Sequence, residues 1–215
     1  MKYGIMPHLM WNVFCGSFTR ELPSMTKEAP ESLMKRSYGR YRVILTSIPE
    51  FEKGDRFLVN ILSASMLSAV LLELPERPPV KAVEGYYHNA MTKTSVMRLF
   101  QKKGGAYTAK AQEKLARQAQ DSPRRYRDNP YTWCFRFEPG PSLDSYSAIF
   151  SACGICHLFQ TLGLSEYIPA MCTYDYDMAE LSGSVFTRQY TLAGGGSCCD
   201  CHYRRREKIL RKAPE

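Results

Sequence analysis

Apolar residues recur at helical spacing along the first half of the chain. Between Glu31 and Ile48, Leu33, Tyr41, Ile44, Leu45 and Ile48 fall near one stripe, and Pro49 ends the helix they predict. Asp55 stands where an N-cap is wanted for a second helix, apolar almost all round, that Pro75 stops. Its most apolar stretch, Phe57 to Leu72, carries Asn60, Ser63, Ser65 and Ser68. That stretch is shorter than the roughly 20 apolar residues a membrane span requires, so it reads as a buried helix. Val80 to Gln101 predicts a third helix, with Val83, Tyr87, Ala90, Met91, Thr94 and Met97 toward the core and Gly104-Gly105 as its breaker. Tyr107 to Asp121 is helix-forming but weakly amphipathic, which predicts an exposed helix, and Ser122 to Pro130 reads as a connector.

Beyond the connector the period changes to two. Tyr131, Trp133, Phe135 and Phe137 alternate with Thr132, Cys134, Arg136 and Glu138, as in a half-buried strand. Pro139 to Ser142 turns the chain into a second strand, Leu143 to Ser151. Cys153 to Leu162 is a short helix closed by Gly163, and a further helix capped by Ser165 runs to about Leu181, with Pro169 tolerated in its opening turn. Ser184 to Leu192 and Ser197 to Arg206 predict two strands around Gly194-Gly195-Gly196. The expected fold class is α+β: N-terminal helices followed by an antiparallel β-β-α-α-β-β sheet with helices on one face. The organisation is a helical region over 1–129 and an α+β region over 130–215, together forming one compact domain.

Composition narrows the function classes. With 44% hydrophobic and 12% aromatic residues, 215 residues can fill a core. The net charge of +8 lies largely in Arg98 to Arg127 and in the tail from Arg204 to Lys212. Such runs are ordinarily solvated helix faces, and no nucleic-acid module accompanies them, so nucleic acid is not the expected partner. Tyr3 to His8 interrupts any secretory h-region, which points to a cytoplasmic chain with no membrane partner and thiols instead of disulfides.

Six of the eight cysteines fall between Cys153 and Cys201, among Asp175, Asp200, His157 and His202. A zinc site would draw on Cys153 and Cys156, in Cys-x-x-Cys spacing, with Cys198, Cys201 and His202, although neighbouring strand residues point to opposite faces. A thiol nucleophile or polar binding site is the second reading, since Cys172 and Asp175 share a helix face. With a loop of Gly194 to Gly196, Arg188 faces His202 and Tyr190 faces Asp200. Arg188, Asp200 and His202 then share one sheet face, with Cys199, Cys201 and Tyr203 on the other; a one-residue change in loop length reverses the combination. The third reading is plain packing, with free cysteines as small apolar residues and Arg188–Asp200 as a structural pair. The triple glycine precedes a strand and lacks a following Gly-Lys-Ser/Thr, so it is a turn and no phosphate loop.

Three blocks then carry a resemblance: Phe150 to Cys156, with Cys153 and Cys156; Ile168 to Ala179, with Pro169, Cys172 and Asp175; and Arg188 to Asp200, with Thr191, Gly194 to Gly196 and Cys199. Together they resemble the L-2-amino-thiazoline-4-carboxylic acid hydrolase family over about residues 131 to 204, with Cys201 where that family has an aromatic residue. The resemblance implies a bacterial hydrolase that uses water to open a cyclic isothiourea bearing a carboxylate, toward a carbamoyl-cysteine product. Such chemistry needs a nucleophile, a proton shuttle and a carboxylate anchor. Cys172 or Cys199 is expected as nucleophile, Asp175 or Asp200 as shuttle and Arg188 as bidentate anchor, with Cys153 and Gly195 completing the substrate pocket. No cofactor is called for. The partner is a small-molecule substrate, and a homo-oligomer stays open. A non-catalytic small-molecule sensor and a zinc-bound structural module are the alternatives.

Overall fold

The computed structural model describes residues 1–2, 4–93 and 104–206. Among the described residues five helices come first: α1 (Ile5–Glu21), α2 (Pro30–Ser47), α3 (Leu58–Glu73), α4 (Val80–Thr92) and α5 (Ala109–Asp128). Strands β1 (Cys134–Pro139) and β2 (Ser145–Ala152) follow, then α6 (Gly154–Thr161) and α7 (Ile168–Leu181), and finally β3 (Ser184–Thr187) and β4 (Cys199–Arg205). The strands form one antiparallel sheet in the order β1-β2-β4-β3. The α+β class and the β-β-α-α-β-β order therefore stand as expected.

Leu33, Tyr41, Ile44, Leu45 and Ile48 are all buried along α2, and every residue from Ile61 to Leu71 of α3 is buried. An apolar helix of this length is stable in water only when other elements surround it, and α1, α2 and α6 do so. Asp55 serves the start of α3 from two residues before the N-cap Phe57. Its Oδ1 accepts from the Phe57 N–H at 2.8 Å and its Oδ2 from the Thr132 hydroxyl at 2.9 Å, which joins the helical half to the entry of the sheet. Predicted core positions Thr94 and Met97 lie outside the described residues, as do most of the basic tail and part of the basic run.

Three expectations need correction. No element was assigned before residue 31, yet Met10, Trp11, Phe14 and Phe18 line one buried face of α1. The stretch 122–130 is mostly helix and not connector. Pro123 has no N–H for the Ala119 carbonyl, and the Ser122 hydroxyl lies 2.8 Å from that oxygen in its place. Nor is α5 wholly exposed: Gln112, Leu115, Ala119 and Ser122 turn toward the sheet, and Phe135 N–H donates to the Ser122 hydroxyl at 3.0 Å. The expectation of weak amphipathicity is corrected too: Leu115, Ala119 and Ser122 recur at helical spacing against a strongly polar remainder, and only the small size of the contact residues hid the stripe.

The sheet separates two chemistries by alternation. Phe135, Phe137, Tyr146, Ala148, Phe150, Cys199, Cys201, Tyr203 and Phe186 share the face toward the helices, where Phe57 stacks on Trp133 with ring centroids 4.6 Å apart. Arg136, Glu138, Ser147, Asp200, His202 and Thr187 share the opposite face. The strand predicted over 184–192 ends at Thr187, which pairs with His202. That register is one residue from the expected one, so Arg188 projects to the side of Cys199 and Cys201, away from Asp200 and His202.

Gly154, at the start of α6, lies so close to the chain entering β1 that a Cβ there would sit 1.9 Å from the Tyr131 carbonyl oxygen. Backbone on backbone cannot yield as a side chain does. Gly154→Ala is expected to lower unfolding free energy by about 3 kcal/mol in urea denaturation, whereas Gly39→Ala, with open space around it, should change it by less than about 1 kcal/mol.

Candidate active site

A cleft of about 290 Å³ lies between the inner face of the sheet and the helices. Ile168, Met171, Cys172, Asp175 and Met178 line it from a single face of α7, as spacings of three and four residues require. Phe150 and Cys153 come from the end of β2 and the start of α6, and Cys199, Cys201 and Tyr203 from alternate positions of β4. Arg56, Phe57 and Asn60 reach it from the start of α3. Thiols from three separate stretches of chain thus meet with one carboxylate and one buried arginine.

Arg188 organises this end of the cleft. Its side chain is only 6% exposed, its Nη1 donates to Asp175 Oδ2 at 2.7 Å, and its Nη2 donates to the Cys172 carbonyl at 2.9 Å. The guanidinium carbon also stands 5.4 and 5.7 Å from the ring centroids of Phe186 and Tyr176. Burial alone would lower the arginine pKa, but the Asp175 carboxylate more than offsets this and raises it. Asp175 is enclosed by protein yet 47% exposed to the cleft. Burial raises its pKa above the usual carboxylate value, against the pull of Arg188. Such a group is a better proton acceptor than an ordinary aspartate. Arg188 was expected to hold a substrate carboxylate; here two of its N–H groups already serve protein oxygens.

The thiols are protonated at rest. Burial, with Asp175 next in effect, pushes Cys172 and Cys201 each up to about 12. Cys153 is raised by its contact with the Cys156 thiol and by burial. Cys199 is raised by burial, but the Leu192 N–H points at its sulfur at 3.2 Å and opposes the shift. Among the cleft thiols, Cys199 and Cys153 have backbone N–H donors that favour a thiolate, and Cys201 has the Arg188 guanidinium. Cys201, which replaces the aromatic residue of the resemblance, is 3% exposed and borders Arg188.

Asp200 and Gly195 are not brought to the cleft. Asp200 lies on the opposite sheet face, where its carboxylate accepts from Gln189 N–H at 3.1 Å and Tyr190 N–H at 2.6 Å. Gly195 adopts φ +84° and closes the turn in which Thr191 Oγ1 accepts from Gly194 N–H. Both hold the loop that carries Arg188 and the Leu192 N–H to the cleft. His202 sits beside Asp200, with Nδ1 2.8 Å from the Ser147 hydroxyl and Nε2 3.6 Å from Asp200 Oδ2; this line of polar groups faces away from the cleft. Among the described residues no three His, Cys, Asp or Glu side chains converge as metal ligands, and Cys201 and His202 point to opposite sides of β4. No helix of the described residues is long and apolar enough to cross a membrane. Arg56, Tyr146 and Tyr203 line the cleft and were not singled out from the sequence, because nothing in their spacing distinguishes them from surface and core residues.

The fold is that of an α+β protein with a cleft lined by a half-buried ion pair and neutral thiols. The model of the L-2-amino-thiazoline-4-carboxylic acid hydrolase family matches residues 60–203, and the chain belongs to that family. The family name denotes a hydrolase, and the match contains every cleft thiol together with Asp175 and Arg188. No curated protein and no solved structure matches the chain.

Burial would raise the Asp200 carboxyl, but the backbone N–H groups of Tyr190, Gln189 and Asp200 itself, with His202 beside it, together outweigh burial and hold it below its ordinary value of 3.8. A depressed carboxyl stabilises the fold above its unfolded pKa and loses that contribution as pH falls through its folded value. Asp200→Asn is therefore expected to cost about 1 kcal/mol near pH 7, with wild type and variant converging in urea denaturation as pH falls through the lowered carboxyl value.

Proposed function

We propose that this chain hydrolyses a small cyclic isothiourea carboxylate, with L-2-amino-thiazoline-4-carboxylate as the reference substrate, using Cys199 as nucleophile and Asp175 as proton shuttle. The observation that carries the reading is the meeting of Cys199, Cys172 and Asp175 around one cleft, with Arg188 holding the carboxylate. Asp175 takes the proton of the Cys199 thiol, and the sulfur adds to the carbon between the ring nitrogen and the ring sulfur. That carbon's bond to the ring sulfur breaks, and Asp175 returns the proton to the departing sulfur. Water then adds to the same carbon, losing a proton to Asp175, and the Cys199 thiol leaves with that proton. One water is consumed and a carbamoyl-cysteine is released.

A resting thiol suits this sequence, because it avoids a buried unpaired thiolate until the substrate's amidinium is present. Leu192 N–H favours the sulfur anion of Cys199, while Cys172 has no such donor and lines the wall. Arg188 is a positioning residue in this scheme. It keeps the Asp175 carboxylate turned to the cleft and bridges α7 to the loop after β3.

Steady-state turnover of the thiazoline by purified protein tests the proposal. Cys199→Ser and Asp175→Asn are each expected to lower kcat by about 10²–10³-fold, and Cys172→Ser by less than about 10-fold. Full activity in Cys199→Ser would remove the nucleophile, and activity lost equally in Cys172→Ser and Cys199→Ser would remove the distinction between them. A pocket that binds the thiazoline in calorimetry without forming product would favour the sensor alternative.

A further inference from the structure

The titratable lining of the cleft is unbalanced. Among the described residues it contains two cations, Arg56 and Arg188, and a single carboxylate, Asp175. Arg188 and Asp175 are paired with each other, and the cleft thiols are held neutral by burial. Among the described residues Arg56 is therefore the uncompensated charge. Its guanidinium carbon lies 5.6 Å from the Phe57 ring centroid, and among the described residues no carboxylate forms an ion pair with it. The neighbouring Asp55 is turned the other way, to Thr132 and Arg125.

Tyr146 and Tyr203 line the same cleft and stack with ring centroids 4.9 Å apart. Neither hydroxyl hydrogen-bonds to another described residue. Burial raises the pKa of both phenols, that of Tyr146 to about 12, against a small opposing effect of Arg56. Each phenol thus presents a neutral O–H donor. A cation flanked by phenol donors fits a carboxylate better than a neutral or cationic group.

We propose that Arg56, with the Tyr146 and Tyr203 hydroxyls, is the anion subsite of the cleft and selects substrates that carry a carboxylate. This rests on the hydrolase reading above for the identity of the substrate, but not for the presence of the subsite. Arg188 then holds Asp175, and the carboxylate end of the ligand is read by a residue four positions before the start of the family match. Arg56 is exposed, so its substitution leaves the fold intact.

The test compares L-2-amino-thiazoline-4-carboxylate with 2-amino-2-thiazoline, which lacks the carboxylate, by titration calorimetry on protein with wild-type Arg56, Arg56→Met or Arg56→Lys, each carrying Cys199→Ser so that the ligand is not consumed. Protein with wild-type Arg56 is expected to bind the carboxylate at least about 10-fold more tightly than the decarboxylated ring, Arg56→Met to lose that preference, and Arg56→Lys to keep part of it. In turnover, with Cys199 intact, Arg56→Met should raise KM for the carboxylate while kcat stays within about 3-fold. A carboxylate preference undiminished in Arg56→Met, or absent from protein with wild-type Arg56, overturns the subsite even if the hydrolase reading stands. A preference that Arg56 controls in a protein without turnover upholds the subsite and sinks the hydrolase reading.

Discussion

An arginine withdrawn from water needs a carboxylate beside it, and the meeting of Arg188 with Asp175 is the constraint on which the site depends. Arg188 lies one residue past the end of β3, and Asp175 lies on α7, so their contact fixes how the helix crosses the end of the strand. The second bond, to the Cys172 carbonyl, sets the same helix one turn earlier. With α7 in that position, Cys172 and Asp175 face Cys199 and Cys201 across the cleft. Either ionic partner alone would be left with a charge in a poorly solvated place, so the pair is kept or lost together.

The polar face of the sheet supports this arrangement from behind. Asp200 gathers the N–H groups of Gln189 and Tyr190, and Thr191 and Gly195 fold the next residues into a tight turn. The loop between β3 and β4 is thereby shaped on one side of the sheet so that Arg188 and the Leu192 N–H arrive on the other. Residues that resemble a family's site thus divide into those that border the cleft and those that build the loop behind them.

Much of this was legible in the sequence. Leu33 to Ile48 and the apolar stretch 57–72 marked α2 and the buried α3, and the change from period 3.6 to period 2 marked the onset of the sheet. The sharing of one α7 face by Cys172 and Asp175 followed from their spacing alone. The face of Arg188 did not, because a hairpin loop one residue different in length reverses every assignment, and β3 stops at Thr187. Ser122 to Pro130 read as a connector, since nothing local announced that Ser122 would take up the carbonyl that Pro123 leaves free. The part of Arg56 was hidden for another reason: an arginine is an anion site only where its neighbours supply no counter-ion, and that is a property of the fold.

Thiols distant in sequence share one ligand-accessible cleft with Asp175. Alkylation by a small maleimide, resolved cysteine by cysteine with mass spectrometry, tests it most directly in the presence and absence of L-2-amino-thiazoline-4-carboxylate. The ligand is expected to slow modification of Cys172 and Cys199 together and to leave Cys15 and Cys134, which lie outside the cleft lining, unchanged. Protection of neither cleft thiol, or equal protection of Cys15, would contradict it.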